Sequence, residues 1–121
     1  MLIEYPKIDF IHEDNRGVLK QLVHTGFSQV NFIKSVGGSI RGGHYHILNE
    51  ELFYVISGSF KLKLTKNDET ETYEMKEGSF FLIPKEVIHS FIFETDTLLI
   101  SMYSKGVELD GGMDIISVDQ E

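Results

Sequence analysis

The sequence predicts an all-β fold, an antiparallel sandwich or barrel. Short runs rich in β-branched and aromatic residues recur at close intervals along the chain. Turn chemistry separates them, and no long stretch shows the 3.6-residue apolar period of a helix. The first strand is expected over 17–24, opening at Gly17, and the second over 29–36, where Val30, Phe32 and Val36 stand among polar residues. Gly37-Gly38 turns the chain into a third strand over 40–46. The runs 51–57 and 59–64 flank Ser57-Gly58, and Asn67-Asp68 leads to 71–75. Glu77-Gly78 precedes 79–83, and 89–94 and 97–104 complete the set. Strands 51–57 and 79–83 are apolar on both faces, so both are expected to be central, between a packed interior and a second sheet or a subunit interface. Gly58, Gly78 and Pro84 punctuate turns. The acidic, Gly-containing tail from Gly106 is expected to wrap the barrel or to fray.

The chain has 121 residues, of which 41% are apolar, which suits one compact domain over 1–121. No linker, repeat or low-complexity segment interrupts it. No apolar run approaches the ~20 residues that span a bilayer, and no leader pattern opens the chain. The expectation is a soluble cytoplasmic protein with no membrane partner. The absence of Cys excludes disulfides and thiolate metal sites. A net charge of −8 argues against nucleic acid as a partner. It leaves room for a small anionic ligand, because a few Arg side chains can hold a diphosphate locally. The two Arg, Arg16 and Arg41, each precede a Gly.

The run Gly38-Ser-Ile-Arg-Gly-Gly-His-Tyr-His46 carries the chemistry. His44 and His46 are two residues apart, so on a strand they share a face. Glu51 would open the next strand, sharing its face with Phe53 and Val55. His89 would begin a later one with Phe91 and Phe93. Three imidazoles and a carboxylate form either a ligand set for a divalent metal or an acid/base cluster. Isolated histidines such as His12 and His24 are expected only to pack or hydrogen-bond. Strict alternation would turn Arg41 away from the His pair, unless Gly42-Gly43 hosts a bulge that re-aims it.

These residues resemble the cupin superfamily. Its first motif is Gly, five residues, His-x-His, three or four residues, Glu, six residues, Gly; here Gly38, His44, His46, Glu51 and Gly58 satisfy every position. In the second motif Gly78, Pro84 and His89 match, while Glu86 replaces a Gly and Phe93 an Asn. The resemblance implies a small antiparallel β-barrel or jelly roll. A narrower likeness is to cupins that act on nucleotide-linked 4-keto sugars. Asp14-Asn-Arg-Gly17, Gln29-Val-Asn31, Arg41-Gly-Gly-His-Tyr-His46 and Ile88-His-Ser-Phe91 follow their order of marks. The 3,5-epimerases and 3,4-ketoisomerases of dTDP-linked sugars share parts of this pattern. The cupin domain of capsular polysaccharide reductase–epimerases is similar from His44 to Gly58, including the Glu.

The resemblance implies an epimerase or ketoisomerase of a nucleotide-linked 4-keto-deoxyhexose, in surface-polysaccharide or deoxysugar biosynthesis. His44 would remove a proton beside the ketone, and His46 would assist. Arg41 and Arg16 would hold the diphosphate, Arg16 by reaching a partner subunit, and Asn31 would join in substrate binding. Tyr103 would return the proton, and Asp114 would support the base. A divalent metal (zinc, or iron, nickel or manganese) would sit on His44, His46, Glu51 and His89, with no organic cofactor. Two-sided apolar strands add the expectation of a homodimer. Two other readings stay open: another metal-dependent cupin enzyme, such as a dioxygenase or free-sugar isomerase, and a non-catalytic sugar-binding module.

Overall fold

A computed structural model of the chain describes residues 1–118; the last three residues of the expected 1–121 domain lie outside the described residues. The strands are β1 (Phe10–Asp14), β2 (Gly17–Gln21), β3 (Gln29–Ser35), β4 (Ile40–Tyr45), β5 (Glu51–Ser57), β6 (Ser59–Lys66), β7 (Glu69–Lys76), β8 (Phe80–Ile83), β9 (Ile88–Phe93), β10 (Thr97–Tyr103), β11 (Glu108–Leu109), β12 (Gly112–Met113) and β13 (Ile116–Ser117). Two sheets carry the fold, ordered β3-β10-β5-β8 and β13-β4-β9-β6-β7. Every pairing in them is antiparallel.

Alternation within the strands builds the core between the sheets. Phe53, Val55, Phe81, Ile83 and Leu99 come from the first sheet, and Phe60, Leu62, Leu64, Met75, Phe91 and Phe93 from the second; all are buried in one cluster. Their rings pack closely: Phe53 lies 5.1 Å from Phe81 and 5.0 Å from Phe91, and Phe60 lies 5.4 Å from Phe93. Phe93, which departs from the cupin motif, is therefore a core residue.

Strand β5 is central, as its two-sided apolarity predicts, but β8 is not. It borders its sheet, paired with β5 and bridged to Glu4 by two backbone hydrogen bonds of 3.0 and 2.8 Å. Both strands are apolar on two faces because the chain covers its own outer surface. Leu52, Phe80, Leu82 and Met102 point outward under Ile8, Leu22, Val23 and Phe27. Hydrophobicity alone cannot separate burial by a neighbouring sheet from burial by a loop.

One further element lay outside the sequence reading, whereas the tail takes one of its two expected courses. The run 10–14 pairs with β2 as a hairpin turning at Asn15-Arg16, so the expected 17–24 strand is half of a ribbon. The tail after Gly106 wraps: β11 and β12 form a small hairpin, and β13 pairs with β4 through Ile116 opposite Tyr45 and Ser117 opposite His44.

Glu86 has a φ of +68°, the left-handed region where the cupin motif places Gly. Its amide donates to the His46 carbonyl at 2.7 Å, so the turn retains its shape despite the side chain. The left-handed conformation costs a non-Gly residue roughly 1–2 kcal/mol, offset in part by the chain entropy of Gly. Glu86→Gly is therefore expected to stabilise the protein by about 0.5–1 kcal/mol in urea unfolding; a loss of stability would contradict this reading.

Candidate active site

A β-bulge builds the site. Across β4 and β9, Arg41 lies opposite Phe91, yet His44 lies opposite His89. Three steps along β4 thus match two along β9, with the register shift between Gly42 and His44. The extra residue keeps both Arg41 and His44 on the inward face, where strict alternation would have split them. Only Gly fits at 42: its φ is +106°, and a Cβ there would lie 2.5 Å from the His89 carbonyl oxygen. The Arg41 Nε donates to the Ser35 hydroxyl at 2.8 Å, fixing the side chain across the β3–β4 turn.

Arg41 and His44 open onto a cavity of about 270 Å³ with Glu51, His89 and Tyr103. Ile33, Phe53, Phe91, Phe93 and Leu99 form its apolar walls. Few polar groups converging in an apolar cleft is the usual layout of a small-molecule site.

His44, His46 and His89 form a cluster whose nitrogens lie within 4.8 Å of one another. The His46 Nδ1 donates to the Asp114 backbone carbonyl at 2.6 Å, and the His89 Nδ1 faces the Val87 carbonyl at 3.2 Å. A carbonyl only accepts, so each Nδ1 bears the proton and each Nε2 turns inward. Those two Nε2 atoms lie 3.2 and 3.6 Å from the Glu51 Oε1. The other Glu51 oxygen accepts from the Ser101 hydroxyl at 2.8 Å. Tyr103 lines the same cavity as Glu51, and its ring centre lies 5.0 Å from that of His46. This donor set fits a divalent metal: three imidazoles could hold one, with a carboxylate beside them.

Electrostatics divides the three histidines. Burial pushes His89 down to about 4, with His44 and His46 adding to the effect against the pull of Glu51. Burial, then the nearby His46, also lowers His44. Burial pulls His46 down too, but its hydrogen bonds to Glu51 and Asp114 outweigh that and raise it. Tyr103 is raised, first by burial and then by the Glu51 carboxylate.

Other candidates lie elsewhere. Arg16 sits at the tip of the β1–β2 hairpin, paired with Asp14 at 2.6 Å, and does not line the cavity. Asn31 faces the same way as Ile33 but bonds to Gln29, at 3.4 Å. Asp114 approaches His46 through its backbone, while its carboxylate accepts the amides of Ile47 and Leu48, each at 2.9 Å. Ser35, Asn49 and Ser101 were not legible as site residues. Each acts on a partner that only the folded chain supplies.

Residues 12–106 match the family described as Polysaccharide biosynthesis C-terminal domain. The chain belongs to this family. A curated relative, the spore coat polysaccharide biosynthesis protein SpsL of Bacillus subtilis (strain 168), is 32% identical over 108 residues, covering 76% of this chain and 71% of SpsL. The 3-hydroxyanthranilate 3,4-dioxygenase of Xenopus laevis is 36% identical over 74 residues, 60% of this chain. The family member spans only about a quarter of that dioxygenase's length, 25%. Among solved structures, a variant of the 3,4-ketoisomerase QdtA from Thermoanaerobacterium thermosaccharolyticum, in complex with TDP-4-keto-6-deoxyglucose, superposes with a TM-score of 0.79. Identity is 21%, over 97% of this chain and 88% of QdtA, so the likeness is one of fold: the cupin barrel. Among the described residues, no helix is long and apolar enough to cross a membrane.

The lowered His89 sets a pH dependence. Its unfolded value is near ~6.5, so between there and about 4 the unfolded chain binds the proton and the folded chain does not. That contribution is complete above ~6.5 and is lost as pH falls toward about 4. His44 acts in the same direction and His46 in the opposite one. Urea unfolding of metal-free protein should show stability falling over this window, with a shallower fall in His89→Gln; an equal slope in the variant would refute the assignment.

Proposed function

We propose that this protein is an epimerase or ketoisomerase of a nucleotide-linked 4-keto-6-deoxyhexose, acting in surface-polysaccharide or deoxysugar synthesis. The observation that carries it is the bulge, which places Arg41 and His44 in one cavity facing Tyr103. Family membership, the relative SpsL and the QdtA fold support the same reading.

A proton beside a ketone is too weakly acidic to leave unaided. His44 is held neutral by its lowered pKa, and it faces the cavity, so it can accept that proton. Tyr103 keeps its phenolic proton and can return one from the opposite wall. Return to the same carbon inverts it; return to the neighbouring carbon, through an enediol, moves the ketone. Arg41 stands at the rim with guanidinium donors for the diphosphate, an anion that needs such a clamp on a chain of net charge −8. The apolar walls suit the methyl group of a deoxysugar. When bound, a divalent metal on His44, His46 and His89, with Glu51 beside them, would supply Lewis-acid stabilisation of an enolate oxygen; a His44 nitrogen that holds the metal could not also take the proton, so the base role of His44 belongs to the metal-free site, and Tyr103 would move the proton in the loaded one.

The reading includes a homodimer. The β1–β2 hairpin pairs with no other strand among the described residues, yet exposes Phe10, Ile11, Val18 and Leu19. Val30 and Phe32, the latter 67% exposed, lie on the outer face of the border strand β3. Packing these surfaces against a second copy would cover both and carry Arg16 away from its own barrel. Ile11→Asp should then sediment as a monomer where the parent sediments as a dimer; a monomeric parent removes this part of the reading.

Likeness to the dioxygenases favours a second reading, an oxygen-using metal enzyme. The decisive experiment incubates the protein with dTDP-4-keto-6-deoxyglucose in deuterated water. Deuterium should enter at the carbon beside the ketone. His44→Asn should slow this roughly 10²–10⁴-fold with the fold intact, and Arg41→Lys should mainly raise KM. No exchange with several nucleotide sugars, together with oxygen uptake by iron-loaded protein given 3-hydroxyanthranilate, would replace the first reading by the second.

A further inference from the structure

The turn between β4 and β5 holds a buried amide that the reaction does not use. Asn49 is 1% exposed, and its side chain fulfils every hydrogen bond it can make. The Nδ2 donates to the Asp114 carboxylate at 2.8 Å and to the Gly106 carbonyl at 2.9 Å. The Oδ1 accepts the amides of Lys105 at 2.8 Å and Gly106 at 2.9 Å. Asn49 thus ties three segments together: the His46–Glu51 turn, the chain leaving β10, and the segment before β13 that carries Asp114.

Each segment holds a part of the site. The turn bears His46 and Glu51 at its two ends. Strand β10 carries Ser101, bonded to Glu51, and Tyr103, which lines the cavity beside Glu51. Asp114 supplies the carbonyl that takes the His46 Nδ1 proton. The Asp114 carboxylate is itself held by three donors, from Ile47, Leu48 and Asn49. Removing Asn49 would leave buried acceptors and donors unpaired and free Asp114 to shift, and with it the carbonyl that aims His46.

We infer that Asn49 is a positioning residue: through Asp114 it locks His46 with its Nδ1 proton on the backbone and its Nε2 toward Glu51. Its importance to turnover rests on the function proposed above, but its test reads the lock itself. The lock makes one prediction for the unmodified protein. By NMR hydrogen exchange, the His46 Nδ1 proton and the Ile47 and Leu48 amides should report one common opening free energy once each rate is divided by the intrinsic rate of its own group, because one opening exposes all three. Three unrelated opening free energies would overturn the inference. In Asn49→Ser the same three protons should exchange at least tenfold faster, while the core amides of Leu62 and Phe91 keep their parent rates. A uniform acceleration of all five, or an unchanged His46 proton, would assign Asn49 a purely structural role and overturn it. Should Asn49→Ser fail to fold, the rates in the unmodified protein decide. Neither measurement uses a sugar nucleotide, so failure here is separable from failure of the proposed reaction.

Discussion

One extra residue in β4 is the constraint on which the site depends. A regular antiparallel ladder sends alternate side chains to opposite faces, and Arg41 and His44 are an odd number of residues apart. The bulge at Gly42-Gly43 breaks that parity, so a cation and a base reach the same cavity. It can exist because Gly42 approaches the β9 backbone more closely than any side chain allows. Ahead of the bulge, Ile40 and Ile92 pair on the outer face; beyond it, His44 and His89 pair inside.

The cavity sits at the polar end of an aromatic core, which sets its electrostatics. The strands that bring His89 and Glu51 inward also bring Phe91, Phe93, Phe53 and Val55 on the same faces. Burial there penalises charge on the imidazoles. The structure resolves this unevenly. Glu51 and the Asp114 carbonyl favour the charged form of His46, while His44 and His89 are driven toward neutrality. A neutral imidazole facing the cavity is what proton abstraction needs, and neutral imidazoles are also what a divalent metal needs.

Much of the site was legible because its residues obey local rules. The spacing of His44 and His46 selects a face, and Glu51 and His89 each begin a strand whose inward positions are apolar. The possibility of a bulge was readable from two successive glycines. The hairpin strand 10–14 was not, because its apolar and polar residues lack alternation and it packs against little but its partner. The border position of β8 was missed for the opposite reason: its apolar surface is complete, but a loop rather than a sheet covers one side.

The sequence by itself determined the β class, the turn positions, the cupin pattern and the inward set of His44, His46, Glu51 and His89. The β class, the turns and the shared face of His44 and His46 follow from periodicity and spacing, which act over a few residues, while the cupin pattern and the place of His89 in the set are what the resemblance implies. Only the tertiary structure decided how those side chains are held. The Ser101 hydroxyl on Glu51, the Asp114 carbonyl on His46 and the Asn49 amide between them join residues 50 to 68 positions apart. Such bonds arise when the sheets close and the tail returns to β4, and no local pattern in the chain announces them. The same closure decided that Arg16 stays on the outer hairpin while Arg41 enters the barrel. Both stand in an Arg-Gly pair, and what distinguishes them is the strand each pair lies in: β4 pairs with β9 inside the barrel, and β1 with β2 pairs outside it.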